Sequence, residues 1–159
     1  MPVFEIVYGG TGMIGQTSRN LTPQEALATA GPRISVEVRV PTALEQYLTA
    51  HGQLIPSPVS GTALIDTGAT TSCVDSTTIQ SLGVNPVNQV NSGTAGGPFL
   101  QYVYPAKFFL PNIQLTMEFS QAVGANLTGT GIIALLGRDI LARMVFIYSG
   151  LSGRISVSY

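Results

Sequence analysis

The segment Ala63-Leu64-Ile65-Asp66-Thr67-Gly68-Ala69 decides how this chain is interpreted. An apolar run delivers one carboxylate to a point where the chain must turn, and Thr67 and Gly68 supply the turn. A carboxylate at the end of an apolar strand is costly unless it is paired or hydrogen-bonded. The simplest interpretation is a turn-capping aspartate, which is the commonest fate of Asp beside Gly.

A second segment, Leu135-Leu136-Gly137-Arg138-Asp139-Ile140-Leu141, lies far downstream. Its apolar residues predict a short strand before Gly137 and a short helix after it. The apolar approach to Asp66, the small Ala69, a helix-capping signal at Asp75 and this distant segment all coincide. That coincidence favours a functional Asp66 over a turn residue.

Together the two segments resemble the retropepsin-like aspartic peptidases. That half-site has a hydrophobic-hydrophobic-Asp-Thr-Gly-Ala segment and a later hydrophobic-hydrophobic-Gly-Arg-Asp/Asn segment. The resemblance covers residues from about 32 to 159 and implies an all-β barrel with one or two short helices. The chain carries one Asp-Thr-Gly, so the resemblance implies a homodimer with one half-site per chain. The expected function is an aspartic endopeptidase that cleaves extended peptides with a water activated by Asp66 of both copies.

The resemblance also assigns supporting roles around the catalytic Asp66. Thr67 is expected to hydrogen-bond across the dimer interface, and Gly68 permits the turn before Ala69. The second motif, formed by Leu136, Gly137, Arg138 and Asp139, is expected to pack behind this loop.

Arg138 is the point at which the chain departs from the family. In the family this arginine braces the dimer, and retroviral members carry an Asp two positions after the motif glycine. This chain has Thr70 there. The partner of Arg138 stays open among Asp75, Glu5 and a backbone carbonyl, and an exposed helix-terminal charge is an equal alternative.

The run from Asn91 to Pro98 resembles the flap, a hairpin that closes over bound peptide in such enzymes. Glycines suit a hairpin tip that approaches substrate backbone closely. The expected flap and substrate-binding residues are Gly93, Thr94, Ala95, Gly96 and Gly97. An ordinary flexible loop is the alternative.

The chain length predicts one domain over residues 1–159. Residues 1–31 are interpreted as an amino-terminal extension, and residues 41–58 as a surface insertion. The resemblance implies that the terminal strands 3–8 and 155–159 lie in the dimer interface, because such enzymes commonly interleave their chain termini there. An extension without an interface role is the alternative for 3–8. Period-two alternation predicts strands at 34–40, 113–119 and 155–159. Further strand candidates are 3–8, 59–65, 84–90, 99–104, 106–110 and 144–148. Short helices are predicted after Thr22, after Asp75 and over 138–143, with a helical turn at 44–48.

Composition excludes several functions. The net charge is −1 and no basic run occurs, which argues against nucleic-acid binding. No His/Cys/carboxylate cluster suggests a metal, and no cofactor is implied. The apolar runs are too short to cross a bilayer and no signal peptide is seen, so we expect no membrane partner and a cytoplasmic location. Charged residues make up only 9%, which favours burial of surface against a partner.

Three alternative interpretations of the sequence remain. The glycine-rich run 9–15 imitates a dinucleotide-binding turn, although no β-α-β pattern follows it. His51 and Cys73 could form a base–nucleophile pair, but nothing in their spacing brings them together, and a buried core cysteine is favoured. The main functional alternative keeps the fold: a catalytically silent retropepsin-like dimerisation or peptide-binding module.

Overall fold

The structure is a computed structural model that describes residues 3–14, 17–94 and 97–159. Strands dominate the described part. The strands are β1 (Val3–Val7), β2 (Gly10–Ile14), β3 (Thr17–Leu21), β4 (Arg33–Arg39), β5 (Val59–Ile65), β6 (Cys73–Asp75), β7 (Asn88–Thr94), β8 (Gly97–Leu110), β9 (Leu115–Ala125), β10 (Ala134–Leu136), β11 (Val145–Ser149) and β12 (Arg154–Ser158). The helices are α1 (Pro23–Ala30), α2 (Thr42–Ala50), α3 (Ser76–Ser81) and α4 (Arg138–Leu141).

A closed barrel forms the body of the molecule. The strand order is β4-β5-β10-β6-β9-β8, and β8 pairs with β4 to close the ring of six strands. Most neighbours are antiparallel, but β10 runs parallel to β5, and β6 runs parallel to β9. β7 extends the sheet beyond β8. The all-β barrel expected from the sequence is confirmed.

Alternating apolar residues fill the barrel. In β4 the side chains of Ile34, Val36 and Val38 are buried, while the residues between them are not. Phe108 of β8 and Leu136 of β10 belong to the same buried cluster. Burial of each such side chain contributes roughly 1.5–3 kcal/mol. The interior is therefore held by the period-two pattern that the sequence shows.

Several element boundaries differ from the sequence prediction. β8 is one strand where two were predicted, because a register shift between Tyr104 and Ala106 accommodates Pro105 within it. Ile113 is buried in the turn before β9, and that strand continues to Ala125. The expected turn at 44–48 is the two-turn helix α2. The described part thus has more helix than the resemblance implied.

The amino-terminal segment packs onto the barrel. β1 pairs with β12, which also pairs with β11, to give a three-stranded antiparallel sheet. β2 and β3 form a separate hairpin. Residues 10–14 of the glycine-rich run are therefore strand, and the helix that dinucleotide binding requires does not open there. α1 begins with a complete capping box between Thr22 and Glu25. No helix in the described ranges is long and apolar enough to cross a membrane.

Candidate active site

Asp66 lies immediately after β5, and its backbone is held between two neighbouring segments. The amide of Asp66 donates to the carbonyl of Leu136 at 2.9 Å, directly after the parallel pairing of β5 with β10. The amide of Ile65 donates to the carbonyl of Pro32 at 2.8 Å. The carboxylate therefore leaves the end of a strand that is fixed on both sides.

The turn after Asp66 is organised by the carboxylate itself. Asp66 Oδ1 accepts the amide of Gly68 at 2.9 Å and that of Ala69 at 3.3 Å. Both bonds involve the same oxygen, and no hydrogen bond to Oδ2 is found among the described residues. The side chain is half-buried. One oxygen is thus anchored by the loop, and the other is available to a water or a second carboxylate.

The second motif packs directly behind this loop. A Cβ on Gly137 would lie 2.9 Å from the carbonyl carbon of Thr71 and 3.1 Å from the carbonyl oxygen of Ala69. The φ of Gly137 is −84°, so its role is close approach rather than an unusual backbone conformation. The amide of Arg138 donates to the carbonyl of Ala69 at 3.0 Å.

The buried Ser72 and the half-buried Asp139 form a clamp that the sequence did not suggest. Ser72 Oγ donates to Asp139 Oδ1 at 2.6 Å, and the Ser72 amide donates to Asp139 Oδ2 at 2.9 Å. The same hydroxyl accepts the amide of Gly137 at 2.9 Å. Ser72 is fully buried. Asp139 was identified only as part of a motif, and no local pattern joins it to Ser72, 67 residues earlier.

Arg138 bonds to the loop that follows Asp66 in its own chain. Its Nη1 donates to the carbonyl of Thr67 at 3.2 Å, and its Nη2 donates to Thr70 Oγ1 at 2.7 Å. The carbonyl alternative therefore describes one contact, and Thr70 supplies another that the sequence did not suggest. The two acidic alternatives are engaged elsewhere: Glu5 pairs with Arg154, and Asp75 caps α3.

The predicted flap coincides with the hairpin of β7 and β8. Its strands are antiparallel, with Gly93 opposite Pro98 and Thr94 opposite Gly97. Ala95 and Gly96, which were expected at the tip, lie outside the described residues. Below the tip, Gln101 Nε2 donates to the carbonyl of Gly124 on β9 at 3.1 Å.

A cavity of about 460 Å³ lies beside Asp66. Its volume is in the range of small-ligand and side-chain pockets. Among the residues that the structure describes, Asp66 is the one charged member of the lining, and aliphatic and aromatic side chains dominate the rest. The lining consists of Gly31, Pro32, Leu64, Ile65, Asp66, Thr67, Phe146 and Tyr148.

Cys73 and His51 do not form a catalytic pair. The Cys73 thiol is partly buried next to the loop and lies within hydrogen-bond range of the carbonyl of Thr71. Burial raises its pKa, and the nearby charges of Asp139 and Asp66 raise it further, so the thiol stays protonated at neutral pH. His51 is exposed at the end of α2 and stacks on Tyr47. No cluster of potential metal ligands is found among the described residues.

The chain is similar to several solved protease structures. A match to the simian foamy virus (mac) protease has 17% identity and a TM-score of 0.44, and it covers 70% of this chain and 92% of that one. A match to EIAV protease in complex with an inhibitor has 19% identity and a TM-score of 0.45, over 70% of this chain and 86% of that one. A retropepsin-like aspartic protease from Rickettsia conorii matches 98% of this chain and 90% of its own, at 13% identity and a TM-score of 0.48.

No family model matches the chain, and no curated protein matches it significantly. The likenesses to these solved structures are remote, with identities of 13–19%. A closed barrel, an Asp-Thr-Gly turn after β5 and a Leu-Leu-Gly-Arg-Asp segment behind that turn occur together. These are the barrel and the placement of the two motifs that the sequence resemblance implies.

Proposed function

We propose that this protein is an aspartic endopeptidase that works as a homodimer. The proposal rests on the hydrogen bonds and the surroundings of the Asp66 carboxylate. Oδ1 is tied to the amides of Gly68 and Ala69, the loop is braced from behind by Gly137 and Arg138, and an apolar cavity adjoins the site. A turn-capping aspartate needs neither the brace nor the cavity.

Hydrolysis requires a second carboxylate, which Asp66 of another copy supplies in an isologous dimer. Two such groups in contact cannot both ionise, so, as in the aspartic proteases, they share one proton. The ionised carboxylate takes a proton from a water, whose oxygen attacks the scissile carbonyl carbon, while the protonated one gives its proton to the carbonyl oxygen. The carboxyl group that took the proton of the water then gives it to the amide nitrogen, and the other carboxylate takes a proton from a hydroxyl of the hydrated carbonyl as the C–N bond breaks. The pair is left with one shared proton, as at the start.

The substrate is an extended peptide that lies in the cleft between the two copies. Its backbone pairs with strand edges and with the β7–β8 hairpin, as in other cases of strand addition. Apolar side chains are favoured, because Asp66 is the one charge in the lining of the adjoining cavity. Thr67 joins the two loops across the two-fold axis, and residues 93–97 cover the bound peptide.

The direct test compares the wild-type chain with Asp66→Asn on a mixed peptide library. The substitution keeps an oxygen that can accept the amide of Gly68 but removes the negative charge. Cleavage should disappear while the circular dichroism spectrum and melting temperature stay close to those of the wild type. Retained cleavage would contradict the proposed mechanism.

The alternative is a silent dimerisation or peptide-binding module with the same fold. A statine-type inhibitor separates the two, because it imitates the hydrated carbonyl and binds an active dyad far more tightly than a peptide. We expect tight binding by the wild type and weak binding by Asp66→Asn. Equal binding of peptide and inhibitor, without cleavage, would support the silent module.

A further inference from the structure

The outer edge of β11 carries unpaired backbone groups. The amide of Tyr8, the residue after β1, donates to the carbonyl of Gly153, the residue before β12. The carbonyl of Gly153 therefore points towards β1. Hydrogen-bonding direction alternates along a strand, so every second residue of β12 from Arg154 onwards bonds to β11. The β11 residues that these positions engage are Val145, Ile147 and Ser149. The amides and carbonyls of Phe146 and Tyr148 therefore point to the outer edge, where no described strand pairs with β11.

This edge also lacks the protection that exposed strands usually carry. β11 has the sequence Val-Phe-Ile-Tyr-Ser, without a charge or a proline. Val145 and Ile147 are 54% and 56% exposed. The opposite edge of the same sheet, β1, carries Glu5, whose carboxylate pairs with Arg154. Natural edge strands avoid unwanted pairing through such charges, so an unguarded edge is a surface suited to a partner strand.

The edge lies next to the candidate catalytic loop. Phe146 and Tyr148, whose backbone groups are unpaired, have side chains in the cavity that Asp66 and Thr67 also line. A partner on this edge therefore sits beside Asp66. The proposed function requires a second copy of the chain at that place.

We propose that β11 pairs antiparallel with β11 of a second copy and forms the seam of the dimer. Ile147 then faces Ile147 of the second copy on the two-fold axis, and Phe146 lies opposite Tyr148. In that register the free backbone groups of Phe146 and Tyr148 bond to each other across the axis, because these residues form the hydrogen-bonded pairs. The two three-stranded sheets become one sheet of six strands. This inference rests on the proposed function, since it names the contact that brings the two Asp66 loops together.

The seam differs from interleaved chain termini. β12 occupies the position between β1 and β11 within its own chain. A terminal strand of another copy cannot enter there without displacing it. The remaining route to a continuous sheet is pairing at an outer edge, and β11 is the edge that adjoins Asp66.

Charge swapping at Ile147 tests the seam. Like charges directly opposite each other destabilise a strand pair, so Ile147→Lys alone and Ile147→Glu alone should each raise the dimer dissociation constant by roughly tenfold or more. An equal mixture of the two should form a heterodimer close to wild-type affinity, measured by sedimentation and native mass spectrometry. The same charge pair at Leu54, an exposed residue outside the sheet, is the control and should change nothing.

A proline at Tyr148 tests the backbone bonds separately. Tyr148→Pro removes the outward amide and leaves the ladder with β12 in place, whereas Tyr148→Ala removes the same side chain and keeps the amide. Two hydrogen bonds are lost per dimer, so the dissociation constant of the proline variant should exceed that of the alanine variant by on the order of 30-fold. Equal dissociation constants would overturn the seam.

The outcomes separate this inference from the proposed function. If the dimer cleaves peptide through Asp66 while substitutions at Ile147 and Tyr148 leave its dissociation constant unchanged, the seam is overturned but the proposed peptidase activity is not. If a mixture of Val3→Lys and Val3→Glu restores the dimer and the Ile147 mixture does not, the seam lies at β1, and the proposed β11 seam is overturned. A dimer that responds at Ile147 but cleaves no peptide and binds no statine-type inhibitor supports the seam against the peptidase. A wild-type chain that cleaves as a monomer would overturn both.

Discussion

Ser72 and Asp139 hold the two halves of the candidate site together across 67 residues of sequence. The Ser72 hydroxyl donates to Asp139 at 2.6 Å and accepts the amide of Gly137 at 2.9 Å, while the Ser72 amide bonds to the second carboxylate oxygen. Asp139 also accepts the amide of Ile140 at the start of α4. One buried hydroxyl thus ties the segment after Asp66 to the segment behind it.

Ser72→Ala should loosen this junction. The substitution removes the hydroxyl and leaves a carboxylate oxygen and the amide of Gly137 without that partner inside the protein. The expected cost is about 1–3 kcal/mol in the free energy of unfolding, measured by urea denaturation, with a parallel loss of peptide cleavage. Ser57→Ala, at an exposed loop serine, should leave both unchanged. Equal stability of the two variants would contradict the role assigned to the clamp.

Gly137→Ala tests the close approach behind the loop. The new Cβ would lie 2.9 Å from the backbone of Thr71, which cannot move without moving the loop that carries Asp66. Overpacking of this kind costs about 1–3 kcal/mol in the free energy of unfolding. We expect the rate of peptide cleavage to fall by more than this loss of stability explains. Gly9→Ala is the matched control, because a Cβ there meets nothing within 4 Å. Full activity of Gly137→Ala would show that the contact is dispensable.

Thr70→Asp tests the bond between the loop and Arg138. A carboxylate beside the guanidinium gives an ion pair in place of the present bond from Arg138 Nη2 to the uncharged Thr70 Oγ1. Both groups are exposed, so the gain in unfolding free energy should stay within about 1 kcal/mol and shrink in high salt. The gain should vanish in an Arg138→Gln background, as a double-mutant cycle in thermal denaturation would measure. A gain that survives there would indicate another partner.

Asp75 should make the fold sensitive to acid. Burial alone would raise the pKa of Asp75, but hydrogen bonds from Thr77, Leu127 and Thr78 outweigh it and hold that pKa below its ordinary value. A lowered folded-state pKa gives stability that is present above the unfolded value of about 3.9 and is lost as the pH falls through the folded value. Between about pH 5 and pH 2, the wild type should therefore lose more unfolding free energy than Asp75→Asn. Parallel pH profiles for the two chains would rule this contribution out.

Local signals in the sequence predicted local structure well. The capping box at Thr22 and the cap at Asp75 each involve residues within three positions, and both form. Period-two alternation located β4 and β12 for the same reason. The fold class followed from these elements together with the resemblance.

Contacts between distant segments could not be predicted in the same way. The Ser72–Asp139 clamp joins two polar residues whose types fit many roles, and no spacing rule relates them. The bond from Arg138 to Thr70 needed the loop geometry, since the family pattern suggested an acidic partner. The pairing of β1 with β12 within one chain also depends on how the barrel brings the termini together.

The shared site itself is tested most directly by mixing wild-type and Asp66→Asn chains at fixed total concentration well above the dimer dissociation constant. A dimer with one aspartate lacks the proton-sharing pair and should not cleave peptide. Since the copies associate at random, an equal mixture should retain about a quarter of the wild-type cleavage rate. Retention of about half the rate would mean that each chain acts alone, and would contradict a catalytic site built from both copies of Asp66.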